Sequence, residues 1–176
     1  MSRADFPADG TGSDRLREIL ESRPPLNLYR MLPRAGILAE HFLEMGGAIR
    51  NDLSLDPKIR ELAIVRTGIL TDAAYEVHHH RQIALSVGVD EKDLAAVENG
   101  ALHSLDVRTR VAMHFVDALC LQVRAPDDVF EEARKALGTD AVAQLTMVVG
   151  FYLMAARFLR NFDIEIEEDL DHLEWL

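Results

Sequence analysis

The chain of 176 residues carries a single cysteine, Cys120, so no disulfide can form within it. A lone thiol suits a reducing compartment, and the cytoplasm is the expected location. Aromatic residues are scarce at 6%, while Ala, Leu and Val lead a hydrophobic fraction of 48%. That mixture suits packed helices better than a sheet sandwich, which draws on aromatic and β-branched residues. Positive charge is also short: 19 Lys+Arg stand against 30 Asp+Glu, a net charge of −11. No basic face is on offer to displace counterions from nucleic acid, and an anionic membrane surface is disfavoured for the same reason. The opening MSRADFPADGTGSD has no apolar h-region, so no secretory leader is expected. The most apolar run, Ala141 to Ala156, contains Gln144 and is shorter than the roughly 20 residues of a membrane span. It reads as a core helix. Strand alternation, Asn-Gly hairpins, repeats and low-complexity linkers are missing too.

What is present is helical punctuation. Residues 1–12 lack periodicity and read as a flexible N-terminal tail. A helical domain is expected over 13–165 and an acidic tail over 166–176. Ser13 or Asp14 opens a first helix, ended by Pro24 and Pro25. Apolar residues return every three or four positions from Leu26 to about Arg50, with Pro33 as a kink or restart. Asp56-Pro57 supplies an N-cap and a first helical position for a helix to about Leu70. Asp72 is placed to cap the next, from Ala73 to Val87, with Gly88 past its end. Further helices are expected from Asp90 to near Gly100, from Ser104 or Asp106 to about Val123, over Asp127–Leu137, and from Thr139 to about Phe162. The fold class is all-α, a single-domain helical bundle of about seven to eight helices.

At 100° per residue, Ala73, Glu76, Val77, Ile83, Ala84 and Val87 all fall within about 60° of His80. Glu76 and His80 are an i,i+4 pair whose side chains can touch. A carboxylate and an imidazole on an apolar face are costly to bury unless paired. Glu61 lies on the preceding helix, in a stripe with Ile64, Val65 and Gly68. A short connection packs these helices antiparallel and brings Glu61 towards Glu76 and His80. Such a triad can store and deliver a proton near neutral pH. The same spacing fits a satisfied buried pair that only ties two helices together. It also fits one divalent ion held by Glu61, Glu76 and His80. Glu76 and His79 form a Glu-x-x-His unit, but di-iron bundles need a second such unit, which the chain lacks. No metal and no cofactor are expected.

His79 sits at the edge of this face and His78 points away. Cys120 shares a helix with Val111, Ala112, Phe115, Val116 and Leu119, where a thiol acts as a small hydrophobe. Tyr152, Arg157, Arg160 and Asn161 cluster towards the end of the last helix. They read as helix-end polar groups complementing the dipole, with the holding of an anionic ligand as the alternative, shared by Arg66.

The run LDPKIRELAI from Leu55, AYEVHHHRQIA from Ala74 and SVGV from Ser86 resembles the carboxymuconolactone decarboxylase family, which includes the alkylhydroperoxidase-D-like proteins. The segment from Val149 to Tyr152 resembles that family's last helix, and the likeness spans roughly residues 30–165. It implies an alkylhydroperoxidase-D-like fold and a homo-oligomer, trimeric or hexameric. The peroxidase branch carries Glu, then Cys-x-x-Cys, then His. Glu61 and His80 match, but Ala73 and Glu76 stand where the cysteines would be, so dithiol peroxidase chemistry is disfavoured. The decarboxylase-like branch has Tyr-Glu-Trp and a histidine. Tyr75, Glu76 and His80 match, and Val77 replaces the tryptophan. The resemblance thus implies a cofactor-independent lyase acting on a small carboxylated lactone or related acid. His80 is the expected general acid, with Glu76 and Glu61 setting its orientation, and Tyr75, His79 and Tyr152 are the expected substrate-binding residues. A non-catalytic oligomeric module and a metal-dependent enzyme of the same fold are the rival expectations.

Overall fold

The computed structural model describes residues 2–167, so most of the expected acidic tail lies outside the described residues. Nine α-helices and two 3-10 turns make up these residues, with no strand among them. The chain divides into two compact units.

Among the described residues, the first unit comprises 2–53 and 159–167. It holds α1 (Asp14–Glu21), α2 (Asn27–Met31), a 3-10 turn (Leu32–Ala35) and α3 (Ile37–Asn51). Ser13 caps α1 by accepting the Leu16 N–H at 3.0 Å, and its hydroxyl donates to Glu40. The stretch expected to be helical from Leu26 to about Arg50, with a kink or restart at Pro33, is two helices that break there. Pro33, without an N–H, sits in the tight turn, and Gly36 turns the corner at φ 61°, a left-handed conformation that favours glycine. The segment expected to be a flexible tail makes several bonds, among them the Arg3 N–H to the Phe162 carbonyl, Arg34 to the Asp5 carbonyl and Arg17 to the Gly10 and Gly12 carbonyls.

The second unit, Ser54–Phe158, carries the chemistry-bearing residues. Its helices are α4 (Pro57–Leu70), α5 (Ala74–Ser86), α6 (Glu91–Glu98), α7 (Val107–Leu121), α8 (Asp127–Leu137) and α9 (Thr139–Phe162), the last running on into the first unit. A 3-10 turn (Leu102–Ser104) links α6 to α7. Asp56 caps α4 through the Lys58 N–H, and Asp106 caps α7 through the N–H groups of Arg108 and Thr109. Helix α4 is central and packs on α5, α6 and α7. Nine of its 14 residues are buried, so its polar side chains are forced to find partners inside the protein.

The link from α4 to α5 differs from expectation. Asp72 does not cap α5; Ala73 holds the cap position and offers no side-chain bond. Asp72 instead adopts φ 54° and ends α4. Its N–H donates to the Ile69 carbonyl at 3.2 Å, and the Ala73 N–H donates to the Gly68 carbonyl at 2.8 Å. This pair of bonds is a Schellman motif, with Asp72 in the left-handed position usually given to glycine or asparagine. A Cβ on Gly68 would lie 2.9 Å from Val77 Cγ2, so the glycine lets α5 come close against α4.

Helix α9 has the length and mean hydropathy (1.6) of a membrane-crossing helix, yet half of that window is buried inside the protein. Val142, Leu145, Val148, Val149, Tyr152, Ala155 and Ala156 form its buried face at helical intervals. It is built as the core helix its sequence suggests.

Candidate active site

Glu61 lies in the second turn of α4 and has no solvent exposure. Its Oε1 accepts the Arg60 Nε–H at 2.8 Å, and its Oε2 lies 2.7 Å from His80 Nδ1, near the middle of α5. Burial pushes the Glu61 carboxyl up, but the hydrogen bond and charge of His80, and then those of Arg60, outweigh it and hold the group below the ordinary range. An ionised carboxylate only accepts, so Nδ1 carries the hydrogen and Nε2 is left as the working nitrogen of the ring. The His80 side chain keeps 11% of its surface exposed. The ring is therefore anchored through Nδ1 and is not fully sealed. Tyr152, from α9, meets the His80 ring edge-on at 4.9 Å between centroids.

The expected Glu76–His80 pair does not form, although both residues lie on one face of α5. His80 turns to Glu61, whose charge is already compensated by Arg60. Glu76 is 4% exposed, and neither of its oxygens has a hydrogen-bond partner. Burial pushes its carboxyl well above the ordinary range. One carboxyl of the anticipated triad is thus paired and held below the ordinary range, and the other is unpaired and pushed well above it.

Tyr75 and His79 are not brought to this pair. Both are buried and pack on each other with centroids 4.4 Å apart; His79 also meets His78 at 5.0 Å. On α5 they are rotated by about 140° and 100° from His80, which accounts for the separation. Arg66 is committed elsewhere. Its guanidinium forks onto Asp117 of α7 at 2.7 and 3.0 Å and donates to the Val97 carbonyl at 3.1 Å. Arg157 is exposed and donates to the Leu153 carbonyl within its own helix. The Cys120 thiol donates to Thr67 Oγ1 at 3.7 Å, and burial pushes it up, away from the reactive thiolate. Among the described residues, no group of three His, Cys, Asp or Glu side chains is placed to hold a metal ion.

An open hollow of about 300 Å³ lies at the α4–α5 turn, walled by Gly68, Ile69, Asp72, Ala73, Val77 and His78. Glu61, Glu76 and His80 are not among its walls. Arg60 is the member of the ion cluster that sequence reading did not single out. Residues adjacent in a helix do not normally face each other, so spacing gives no hint of its bond to Glu61.

Residues 38–118 match the carboxymuconolactone decarboxylase family. Among solved structures, the alkylhydroperoxidase AhpD core of a peroxidase-related protein from Ralstonia eutropha JMP134 gives a TM-score of 0.82 at 20% identity, covering 95% of this chain and 93% of that one. The debrominase Bmp8, in a variant complexed with tribromopyrrole, gives 0.77 at 16% identity over 96% and 95% of the two chains. ATU0492 from Agrobacterium tumefaciens gives 0.69 at 18% identity over 77% and 95%. These likenesses are of fold, and the fold is alkylhydroperoxidase-D-like. Comparison with the curated proteins finds no match.

Proposed function

We propose that the chain, whose residues 38–118 match the carboxymuconolactone decarboxylase family, is a cofactor-independent lyase acting on a small carboxylated lactone or related acid. The observation that carries this reading is the 2.7 Å contact between His80 Nδ1 and a fully buried Glu61, on a ring that still reaches solvent. In the reaction, the bond between the reacting carbon and its carboxylate breaks and carbon dioxide leaves. The electron pair moves into the conjugated lactone carbonyl and returns to take a proton at carbon. His80 Nε2 delivers that proton and is reloaded from solvent, so each turnover consumes one proton. Glu61 holds the ring in one orientation. The edge-on contact of Tyr152 with the ring supports a role for it beside the substrate.

Dithiol peroxidase chemistry finds no support. Alanine and glutamate stand at positions 73 and 76, and the one cysteine is a half-buried thiol on α7. The test is carbon dioxide release from a panel of carboxylated five-membered lactones. His80→Ala and Glu61→Gln should each lower kcat by about 10²–10⁴-fold with the helical circular dichroism intact. Undiminished turnover in both variants would remove the reading.

The same proposal includes a cytoplasmic homo-oligomer, trimeric or hexameric, whose partner is the small substrate and neither nucleic acid nor membrane. The outward face of α9 supports self-association: Met147 is 57% and Met154 50% exposed, one heptad apart. Light scattering on the purified protein tests it, and a monomer across the micromolar range counts against it.

A further inference from the structure

Helix α9 buries one side in the core and leaves a second, largely apolar side uncovered. On the heptad lettering abcdefg with Asp140 at a, its buried Val142, Leu145, Val149 and Tyr152 fall at c and f. Positions a and d are Asp140, Ala143, Met147, Gly150, Met154 and Arg157, and all six are exposed. Gly150 is unexplained within the chain. A Cβ there would meet nothing within 4 Å among the described residues, so no close approach inside the protein requires a glycine. A glycine in mid-helix costs stability relative to alanine. The net charge of −11 opposes contact between copies, but α9 is spared it: its charged residues are Asp140, Arg157 and Arg160.

We propose that this seam is a two-fold interface on which α9 of a second copy of the chain lies antiparallel. With the axis passing between residues 148 and 149, every a position faces a d position across it. Met147 then lies over the partner's Gly150, Met154 over the partner's Ala143, and Asp140 meets the partner's Arg157. The two-fold repeats each pair. Both large side chains thus face small ones, and both end charges face the opposite sign. A parallel pairing in register would set methionine on methionine, glycine on glycine and like charges together. The missing Cβ lets the two backbones approach, and the flexible thioether fills the space left over it. The seam rests on the self-association proposed above and not on the lyase chemistry. It narrows that proposal, because an isologous contact joins copies in pairs and the assembly holds an even number of chains.

Paired cysteines locate the seam. In a Cys120→Ala background, Ala143→Cys with Met154→Cys puts two thiols roughly 16 Å apart along one helix, too far to bridge within the chain. Across the two-fold each thiol meets the other kind, so mild oxidation of the full chain should give a covalent dimer on a non-reducing gel. Either cysteine alone should give about 10-fold less. In sedimentation velocity at micromolar concentration, Asp140→Arg and Arg157→Asp should each weaken association about 10-fold, and the two together should restore it. Gly150→Leu should weaken association about 10²-fold with the helical circular dichroism intact, since the new side chain has open space in the single chain and none in the seam. No covalent dimer from the paired cysteines, a charge swap that fails to restore association, or a wild-type trimer overturns the seam. So does a monomer that binds neutral phosphatidylcholine vesicles, whose α9 face then belongs to lipid. The two readings fail separately. An assembly that survives Gly150→Leu and forms no crosslink sinks the seam and spares the homo-oligomer. A crosslinked dimer that grows no further sinks the trimer and the hexamer and spares the seam.

Discussion

Glu61 and Glu76 are both shut away from water on adjacent helices, yet Glu61 divides its two oxygens between Arg60 and His80 while Glu76 gives neither oxygen to anything. Opposite shifts of the two carboxyls follow from that difference in partners, since burial acts on both in the same direction.

The first prediction is a stability profile with two limbs. Glu61 is held below the ordinary carboxyl range in the folded state. Its stabilising contribution is complete above that range and is lost as pH falls through the lowered value. Glu76 is held well above the range. Its contribution is complete below the range and is lost as pH rises towards the raised value. Urea midpoints measured across pH should therefore fall on both sides. Glu76→Gln should flatten the limb above the ordinary carboxyl range, and Glu61→Gln the limb below it. A Glu76→Gln protein that keeps the wild-type slope at rising pH contradicts the burial argument.

Arg60 carries the second prediction. Its guanidinium is 7% exposed and compensates a carboxylate with no exposure at all. Removing one partner of a buried ion cluster commonly costs about 3–5 kcal/mol. Arg60→Met should lower stability by roughly that amount, and it should move the acid limb to higher pH because Glu61 loses one of its two cations. Loss of stability without movement of the acid limb would mean that Arg60 acts through packing alone.

Much of this architecture was legible because its signals are local. Asp56-Pro57 and Asp106 start helices by capping bonds made within three residues, and Gly138 stops α8 by its own backbone conformation. Expectation failed where one residue had two possible local roles. Asp72 stands equally near the end of α4 and the start of α5, and only the closing bonds to Gly68 and Ile69 decide between them. The site was half legible for a related reason. Periodicity places Glu76 and His80 on one face, and the neighbouring stripe brings in Glu61. Which carboxylate wins the imidazole depends on Arg60, a tertiary outcome that helical spacing does not encode.

The clamp between α4 and α7 yields a third prediction. Arg66 makes two parallel bonds to Asp117 and a third to the Val97 carbonyl, so it joins three helices, α4, α6 and α7. A lysine offers one point charge in place of a planar fork and cannot reproduce all three bonds. Arg66→Lys should destabilise the fold by about 1–3 kcal/mol, mostly from acceptors left unpaired. Asp117→Ala should cost more, because it strands a guanidinium that is largely buried. Equal midpoints for Arg66→Lys and wild type in urea would show that the fork contributes nothing beyond its charge.

The last prediction concerns the only thiol. Thr67 is fully buried and its hydroxyl donates to the Ala63 carbonyl at 2.8 Å, which leaves its oxygen to accept from Cys120. Burial, aided by the Asp117 charge, pushes the thiol up, so little thiolate exists at neutral pH. Reaction with a disulfide reagent should be slow in the native protein and fast in urea. Cys120→Ala should leave carbon dioxide release unchanged, and its cost to stability should stay near about 1 kcal/mol, the scale of one lost hydrogen bond and a small loss of packing. Rapid labelling of the native thiol, or loss of turnover in Cys120→Ala, would restore sulfur to the mechanism and displace the imidazole as its centre.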